Sequence, residues 1–218
     1  MFRYIDRNKK NTIVLIPGWA TDYRVFDALN LEFNYLIPDV FDPYNFEDNL
    51  LAALDERGLK KISLFGWSLG GFVAAEFASR HPQSVDELIL VSIRRKYRQE
   101  ELTEIRRHLE SNKKGYLYKF YQMCFCEGQN KGILFRKYCW EMNLDYLLKT
   151  LEYLRDAEIK PESLHDTKRI KIIHGRNDNI APINEAIDIK NRLKNSKFIT
   201  MEDTGHMPFL KEEFSAYI

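Results

Sequence analysis

The sequence has little cysteine, no long apolar run and no excess of charge of either sign. Only three cysteines occur among 218 residues, and 33 Lys and Arg stand against 32 Asp and Glu, a net charge of +1. The opening stretch, MFRYIDRNKKN, is charged where a secretion signal is apolar, and no apolar run reaches the roughly 20 residues that a membrane span requires. We therefore expect a cytoplasmic protein with reduced thiols and no partner among nucleic acids or membranes.

The cysteines do not have the spacing of a metal site. Cys124 and Cys126 have one residue between them, Cys139 stands apart, and no Cys or His pair elsewhere completes a zinc-binding pattern. We expect these thiols to be buried as small apolar side chains. The chain does have 44% hydrophobic and 30% charged residues, which indicates a globular domain with a substantial core.

Short β-branched runs alternate with helical segments over most of the chain. The strand candidates are TIVLIPGW, NYLIPDV, KKISLFG, ELILVSI, RIKIIHG and KFITME. The helix candidates between them are FEDNLLAALDERG, LGGFVAAEFASRHP and INEAIDIKNRLKN. Strands that alternate with helices are typical of βαβ units, so the sequence predicts an α/β fold with a mostly parallel sheet and helices on both faces.

Residues 94–160 interrupt this alternation. They contain no strand candidate, and their apolar residues recur at the spacing of amphipathic helices, as in Leu102 and Leu109. Helices inserted above the carboxyl edge of a sheet commonly cover a site, so we predict a helical lid at 94–160 over a core formed by 1–93 and 161–218. A helical subdomain that only adds stability is the alternative.

The stretch GWSLG matches the pattern Gly-x-Ser-x-Gly at Gly66, Ser68 and Gly70. A strand candidate precedes it and a helix candidate follows it, which is the context of a nucleophile elbow. In such a turn the serine adopts a strained backbone conformation, and its neighbours lack side chains so that strand and helix approach closely. A strand that simply runs into a glycine-rich loop is the plainer interpretation.

Two residues after later strand candidates fit the base and the acid that a nucleophilic serine needs. His206, in DTGHMPF, follows the last strand candidate, and Asp178, in HGRNDNIAP, lies in a turn between a strand and a helix. The order Ser68, Asp178, His206 is the chain order of an elbow-type triad. A surface histidine and an ordinary turn aspartate are the alternatives, and Asp203 competes for the acid. The remaining histidines are His81, His108, His165 and His174.

The loop after the first strand candidate supplies a second element of the chemistry. An oxyanion hole needs two backbone donors, of which the residue after the nucleophile, Leu69, provides one. In LIPGWATD, Gly18 permits a bend and the Trp19 N–H is placed as the other. The Trp19 indole either forms a wall of an acyl pocket or serves as a core aromatic, and both roles are compatible.

Four segments occur together in the order and spacing of one superfamily. PGWATD, FGWSLGGFVA, HGRNDNIAP and TGHMPF resemble the motifs of the α/β-hydrolase superfamily across most of residues 11–210. The Gly-Trp pair, GWSLGG at the elbow, and the segments YKFYQMCF and LDYLLKTLEYLRD look most like the pimeloyl-[acyl-carrier-protein] methyl ester esterases of biotin synthesis.

That resemblance implies a reaction, a substrate and a pocket. The reaction is hydrolysis of the methyl ester of a dicarboxylate chain carried by an acyl carrier protein. By resemblance, Ser68 attacks the ester, His206 shuttles the proton and Asp178 orients the imidazole. No metal or organic cofactor is implied. The implied pocket residues are Trp19, Phe120, Tyr121, Gln122, Met123 and Cys124.

The segment 94–160 is basic, with 15 Lys and Arg against 10 Asp and Glu, while the rest of the chain has a net charge of −4. An acidic carrier protein would be steered to such a surface, so the segment is a candidate docking face. A solvated helix face is the plainer interpretation. The positive charge is concentrated at Arg94, Arg95, Lys96, Arg98, Arg106 and Arg107.

Two other functions remain open at the level of the sequence. One is a general short-chain carboxylesterase or thioesterase of the same fold. The other is a binding module that keeps the fold without catalysis, because a fold does not fix a function.

Overall fold

The computed structural model describes residues 1–126, 132–138 and 140–218, so Cys139 lies outside the described residues. The described strands are β1 Phe2–Ile5, β2 Thr12–Ile16, β3 Asn34–Pro38, β4 Ile62–Trp67, β5 Val85–Val91, β6 Ile170–Gly175 and β7 Ser196–Met201. These seven strands form one sheet in the order β1-β3-β2-β4-β5-β6-β7. Of these strands, β1 runs antiparallel to its neighbour, with Phe2 opposite Pro38, and the other pairs are parallel.

Helices cover this sheet, and the predicted fold class is confirmed. Every residue of β2 and of β4 is buried, as expected for central strands that are covered on both faces. The described helices are α1 Phe46–Glu56, α2 Leu69–Arg80, α3 Gln99–Met123, α4 Gly132–Tyr138, α5 Leu144–Asp156 and α6 Ile183–Arg192. Helix α2 packs on β4 and β5, and α6 packs on β6 and β7.

Helices α3, α4 and α5 lie between β5 and β6 in the chain, where the apolar spacing predicts helices. Asn112 interrupts α3 with non-helical dihedrals, φ −153° and ψ 79°. The two ends of the inserted segment meet, because Lys96 and Glu158 form an antiparallel bridge and the Ile159 N–H donates to the Arg95 carbonyl at 3.0 Å. Core and lid as separate units stay a prediction. Among the described residues, no helix is both long and apolar enough to cross a membrane.

Candidate active site

Ser68 occupies the sharp turn between β4 and α2. Its φ of 53° lies in the left-handed region, which is strained for a residue with a side chain. The flanking glycines leave no room for a side chain. A Cβ added to Gly66 would lie 2.4 Å from the Gly70 carbonyl oxygen, and a Cβ added to Gly70 would lie 2.3 Å from the Ile16 carbonyl oxygen. The glycines therefore allow the first turn of α2 to pack directly on the ends of β2 and β4.

The structure brings the three predicted triad residues into one hydrogen-bonded chain. The His206 Nε2 lies 2.9 Å from the Ser68 Oγ, and its Nδ1 lies 2.8 Å from the Asp178 Oδ2. The imidazole is completely buried and Ser68 is 7% exposed. This spacing allows a proton to pass from the hydroxyl to the imidazole while the carboxylate holds the ring.

Backbone contacts from two sides hold the loop that carries His206. The His206 N–H donates to the Cys124 carbonyl at 2.9 Å, and the Trp67 indole donates to the His206 carbonyl at 2.7 Å. A Cβ on Gly205 would lie 2.7 Å from the Cys124 oxygen. The end of α3 therefore packs directly on the loop, and the Cys124 carbonyl contributes to the position of the imidazole.

Asp178 is fixed in the turn after β6. Its Oδ1 accepts from the Ile180 and Ala181 N–H groups, both at 2.9 Å. Burial by itself would raise the pKa of Asp178, but the charge of His206 and hydrogen bonds from His174 and His206 hold that pKa well below its usual range. The carboxylate therefore stays ionised and acts only as an acceptor.

Asp203, the alternative acid, is placed differently. It adopts a φ of 51° in the turn before His206, and its backbone carbonyl accepts from the Cys126 Sγ at 3.2 Å. The carboxylate that contacts the imidazole is that of Asp178.

The two predicted oxyanion donors lie on segments in direct contact. Leu69 is the first residue of α2, and the close approach of Gly70 to the Ile16 and Pro17 carbonyl oxygens joins that helix end to the loop that carries Trp19. Gly18 is also required, because a Cβ there would lie 2.8 Å from the Trp67 ring. The loop and the helix end therefore lie against each other, and the pairing of the two N–H groups as an oxyanion hole stays a prediction.

The Trp19 side chain is buried and faces the cavity at Ser68, and its role in binding an acyl group stays a prediction. It is 7% exposed, and its indole N–H donates to the Leu147 carbonyl at 3.2 Å. Its ring packs edge-on against Phe120, with 4.9 Å between centroids, and it lines the cavity that contains Ser68. The indole is both a core aromatic and a wall of that cavity.

The cavity at Ser68 has a volume of about 290 Å³ and a largely apolar lining. Of the pocket residues implied on α3 and just after it, Phe120 and Met123 line it together with Tyr116. Tyr121, Gln122 and Cys124 are not among the lining residues. A helix presents only every third or fourth residue to one side, so a continuous stretch cannot line a pocket. A larger cavity of about 410 Å³ lies beside Arg3 and Arg7, away from these residues.

Some of the basic residues proposed as a docking face are paired with carboxylates. Arg94 is buried and contacts Glu101 at 2.8 Å and Glu185 at 3.0 Å. Arg95 pairs with Glu158, and Arg106 pairs with Glu152. Such pairing removes free positive charge from the surface. The exposed members of the set are Lys96, Arg98 and Arg107.

One residue beside the triad escaped the sequence argument. His174 has the position of a strand end before a glycine, and nothing in its spacing assigns it a role. The structure places its Nε2 3.3 Å from the Asp178 Oδ2. The available signal was the four-residue separation of His174 and Asp178 across a tight turn at the end of a strand.

Comparisons with known proteins agree with this architecture. A family model described as alpha/beta hydrolase fold matches residues 11–213. An AB hydrolase superfamily protein of Bacillus subtilis is 24% identical, over 92% of this chain and 87% of its own length. A pimeloyl-[acyl-carrier protein] methyl ester esterase of Nitrosomonas europaea is 27% identical, over 91% and 89%. The solved structure of an esterase from Exiguobacterium antarcticum superposes with a TM-score of 0.86 at 18% identity, covering 99% of this chain and 92% of that one.

Proposed function

The chain belongs to the α/β-hydrolase family, and we propose that it is a serine carboxylesterase that hydrolyses the methyl ester of a pimeloyl chain carried by an acyl carrier protein. The observation that carries the chemistry is the hydrogen-bonded chain from Ser68 through His206 to Asp178. The support for the substrate is the similarity to esterases with that name, at 24–27% identity.

In the first half of the proposed reaction, the Ser68 Oγ attacks the ester carbonyl and its proton passes to the His206 Nε2. The Leu69 and Trp19 N–H groups stabilise the negative charge on the carbonyl oxygen. The tetrahedral intermediate then breaks its bond to the methoxy group, which takes the proton from His206 and leaves as methanol. An acyl-enzyme remains on Ser68.

In the second half, water replaces methanol. The His206 Nε2 takes a proton from the water as its oxygen attacks the acyl carbon, and the same two N–H groups stabilise the second intermediate. Collapse returns the proton to the Ser68 Oγ and releases the carboxylic acid. Asp178 keeps the imidazole in the tautomer that makes both transfers possible.

The surroundings of Ser68 support a chain of methylene groups as the acyl part. Trp19, Phe120 and Met123 form an apolar wall to which such a chain can bind. We propose that the inserted segment acts as a lid over this cavity, and that its exposed basic residues face the acidic carrier. Those residues are Lys96, Arg98 and Arg107.

The decisive experiment compares two esters and one variant. Purified protein is assayed with the carrier-linked pimeloyl methyl ester and with a p-nitrophenyl ester, each with wild type and Ser68→Ala. The protein is also placed in a bacterium that lacks its own pimeloyl-ester esterase, and growth without biotin is scored. We expect Ser68-dependent growth, and a loss of kcat of about 10³-fold or more in the variant.

Other outcomes separate the alternatives. Hydrolysis of the p-nitrophenyl ester without growth or turnover of the carrier-linked ester would contradict the proposed substrate and identify a general esterase. Hydrolysis of neither ester would contradict the proposed chemistry and make the binding module the hypothesis to test next.

A further inference from the structure

A second buried imidazole contacts the carboxylate of Asp178. The side chain of His174, the next-to-last residue of β6, is completely buried. Its Nε2 lies 2.8 Å from the Ala181 carbonyl oxygen and 3.3 Å from the Asp178 Oδ2. Because a carbonyl oxygen only accepts hydrogen bonds, the Nε2 of His174 carries the proton. The tautomer is therefore fixed, and the N–H lies between the turn and the carboxylate.

Asp178 thus accepts hydrogen bonds from three N–H groups and is contacted by a fourth. The Oδ1 accepts from Ile180 and Ala181, and the Oδ2 accepts from His206 at 2.8 Å and faces His174 at 3.3 Å. The contact of His174 with the Ala181 carbonyl also joins the turn to its own strand. The His174 side chain therefore contacts both the carboxylate oxygen bound to His206 and the turn that orients that carboxylate.

We infer that His174 is a positioning residue, which fixes the Oδ2 of Asp178 for its hydrogen bond to His206 and is itself oriented by the Ala181 carbonyl. This inference rests on the proposed function, since a carboxylate that orients His206 matters only if His206 is the base. His174 is not among the residues that line the cavity at Ser68. It acts on the reaction only through Asp178.

The test compares His174→Gln with His174→Leu. The glutamine amide can supply an N–H where the Nε2–H lies, whereas leucine supplies volume without a donor. We expect kcat to fall about 10- to 100-fold in the leucine variant, the range for losing a hydrogen bond to a charged group, with KM nearly unchanged. The glutamine variant should recover most of that loss. The ester is whichever one wild type hydrolyses.

A spectroscopic measurement distinguishes positioning from packing without reference to turnover. The proton between the His206 Nδ1 and the Asp178 Oδ2 gives a far-downfield proton resonance that responds to the charge on the carboxylate. It should shift in His174→Leu and stay near the wild-type position in His174→Gln. Equal losses of kcat in both variants, with this resonance unmoved, would show that His174 only packs.

One further variant completes the design. If His174→Leu does not fold, His174→Asn makes the same comparison, because its shorter amide does not reach the Oδ2. A protein that hydrolyses no ester but shows the expected resonance shifts would contradict the proposed function and not the positioning of Asp178.

Discussion

The carboxyl edge of the sheet and the inserted helices differ in how their residues are held. At the edge, Ser68 is fixed by a strained turn, and His206 is fixed by hydrogen bonds to its own backbone from two sides. In the inserted helices, α3 and α5 are joined by a side-chain pair, Arg106 with Glu152, and Asn112 interrupts α3. The positions of the catalytic residues therefore depend on a tightly constrained backbone, whereas the cavity wall depends on which side chains one face of a helix presents.

The largest expected difference concerns two aspartates whose pKa values are both lowered. Hydrogen bonding to Arg155 lowers the pKa of Asp156, which is exposed, while Asp178 is buried against two imidazoles. Asp178→Asn should reduce kcat by about 10⁴-fold, because the amide favours the wrong tautomer of His206. Asp156→Asn should leave kcat unchanged. Equal kcat values for the two variants would remove the distinction between the regions.

The same pair makes a prediction for stability. A carboxylate whose folded pKa is lowered contributes its full stabilisation above its unfolded pKa, and that contribution is lost as pH falls through the folded value. The advantage of wild type over Asp178→Asn in free energy of unfolding should therefore be constant above about pH 5 and shrink below about pH 4. Salt should weaken the effect of Asp156 and not that of Asp178. Urea unfolding across this pH range measures both.

The next difference concerns two glycines. A Cβ on Gly70 would lie 2.3 Å from the Ile16 oxygen and 2.7 Å from the Pro17 oxygen, both backbone atoms, whereas a Cβ on Gly115 would meet only the Asn112 side chain. Gly70→Ala should displace the oxyanion loop and lower kcat/KM about 100-fold, the effect of a misplacement of about 1 Å. Gly115→Ala should leave kcat/KM unchanged. A Gly70→Ala enzyme with wild-type kcat/KM would show that the contact of α2 with β2 can relax.

The same contrast explains which features could be predicted from the sequence. The alternation of strands and helices is a local signal and predicted the α/β fold, which is confirmed. Gly66, Ser68 and Gly70 form a motif because the turn admits few side chains, and the chain order then selected Asp178 and His206. Where backbone geometry restricts the sequence, short motifs are informative.

In the inserted segment the sequence did not reveal which distant residues the side chains contact. The positive charge of Arg94 indicated a docking residue, but Glu185, which neutralises it, lies 91 residues away in the chain. The stretch from Phe120 to Cys124 was assigned to the pocket as a unit, whereas the helix turns Tyr121 away to donate to the Ala20 carbonyl at 2.7 Å. The partner of a charged side chain and the direction in which a helical side chain points both depend on the tertiary structure, so local sequence does not reveal them.

Within the inserted segment, Arg94 is buried and held by several contacts, as the residues at the carboxyl edge of the sheet are. It is 7% exposed, bonds to Glu101 and Glu185, and lies 4.3 Å over the Tyr97 ring. Arg94→Met should lower the free energy of unfolding by about 2 kcal/mol, less than a fully buried pair would cost, because both glutamates are partly exposed. The exposed Arg98 is the control, and Arg98→Met should change the free energy of unfolding by less than about 0.5 kcal/mol. Equal urea midpoints would mean that Arg94 contributes no net stability.

The smallest expected effects separate two adjacent aromatics on α3. Phe120 lines the cavity and packs on Trp19, whereas Tyr121 is completely buried and donates to the Ala20 carbonyl. Phe120→Ala should lower kcat/KM for a long acyl ester about 10-fold more than for an acetyl ester, since only the longer chain loses apolar contact. Tyr121→Phe should lower kcat/KM equally for both esters. It should also reduce the free energy of unfolding by about 1 kcal/mol, because the buried Ala20 carbonyl loses its hydrogen-bond donor. If Tyr121→Phe also lowered kcat/KM more for the long ester than for the acetyl ester, the assignment of Phe120 to the cavity and of Tyr121 to the core would be wrong.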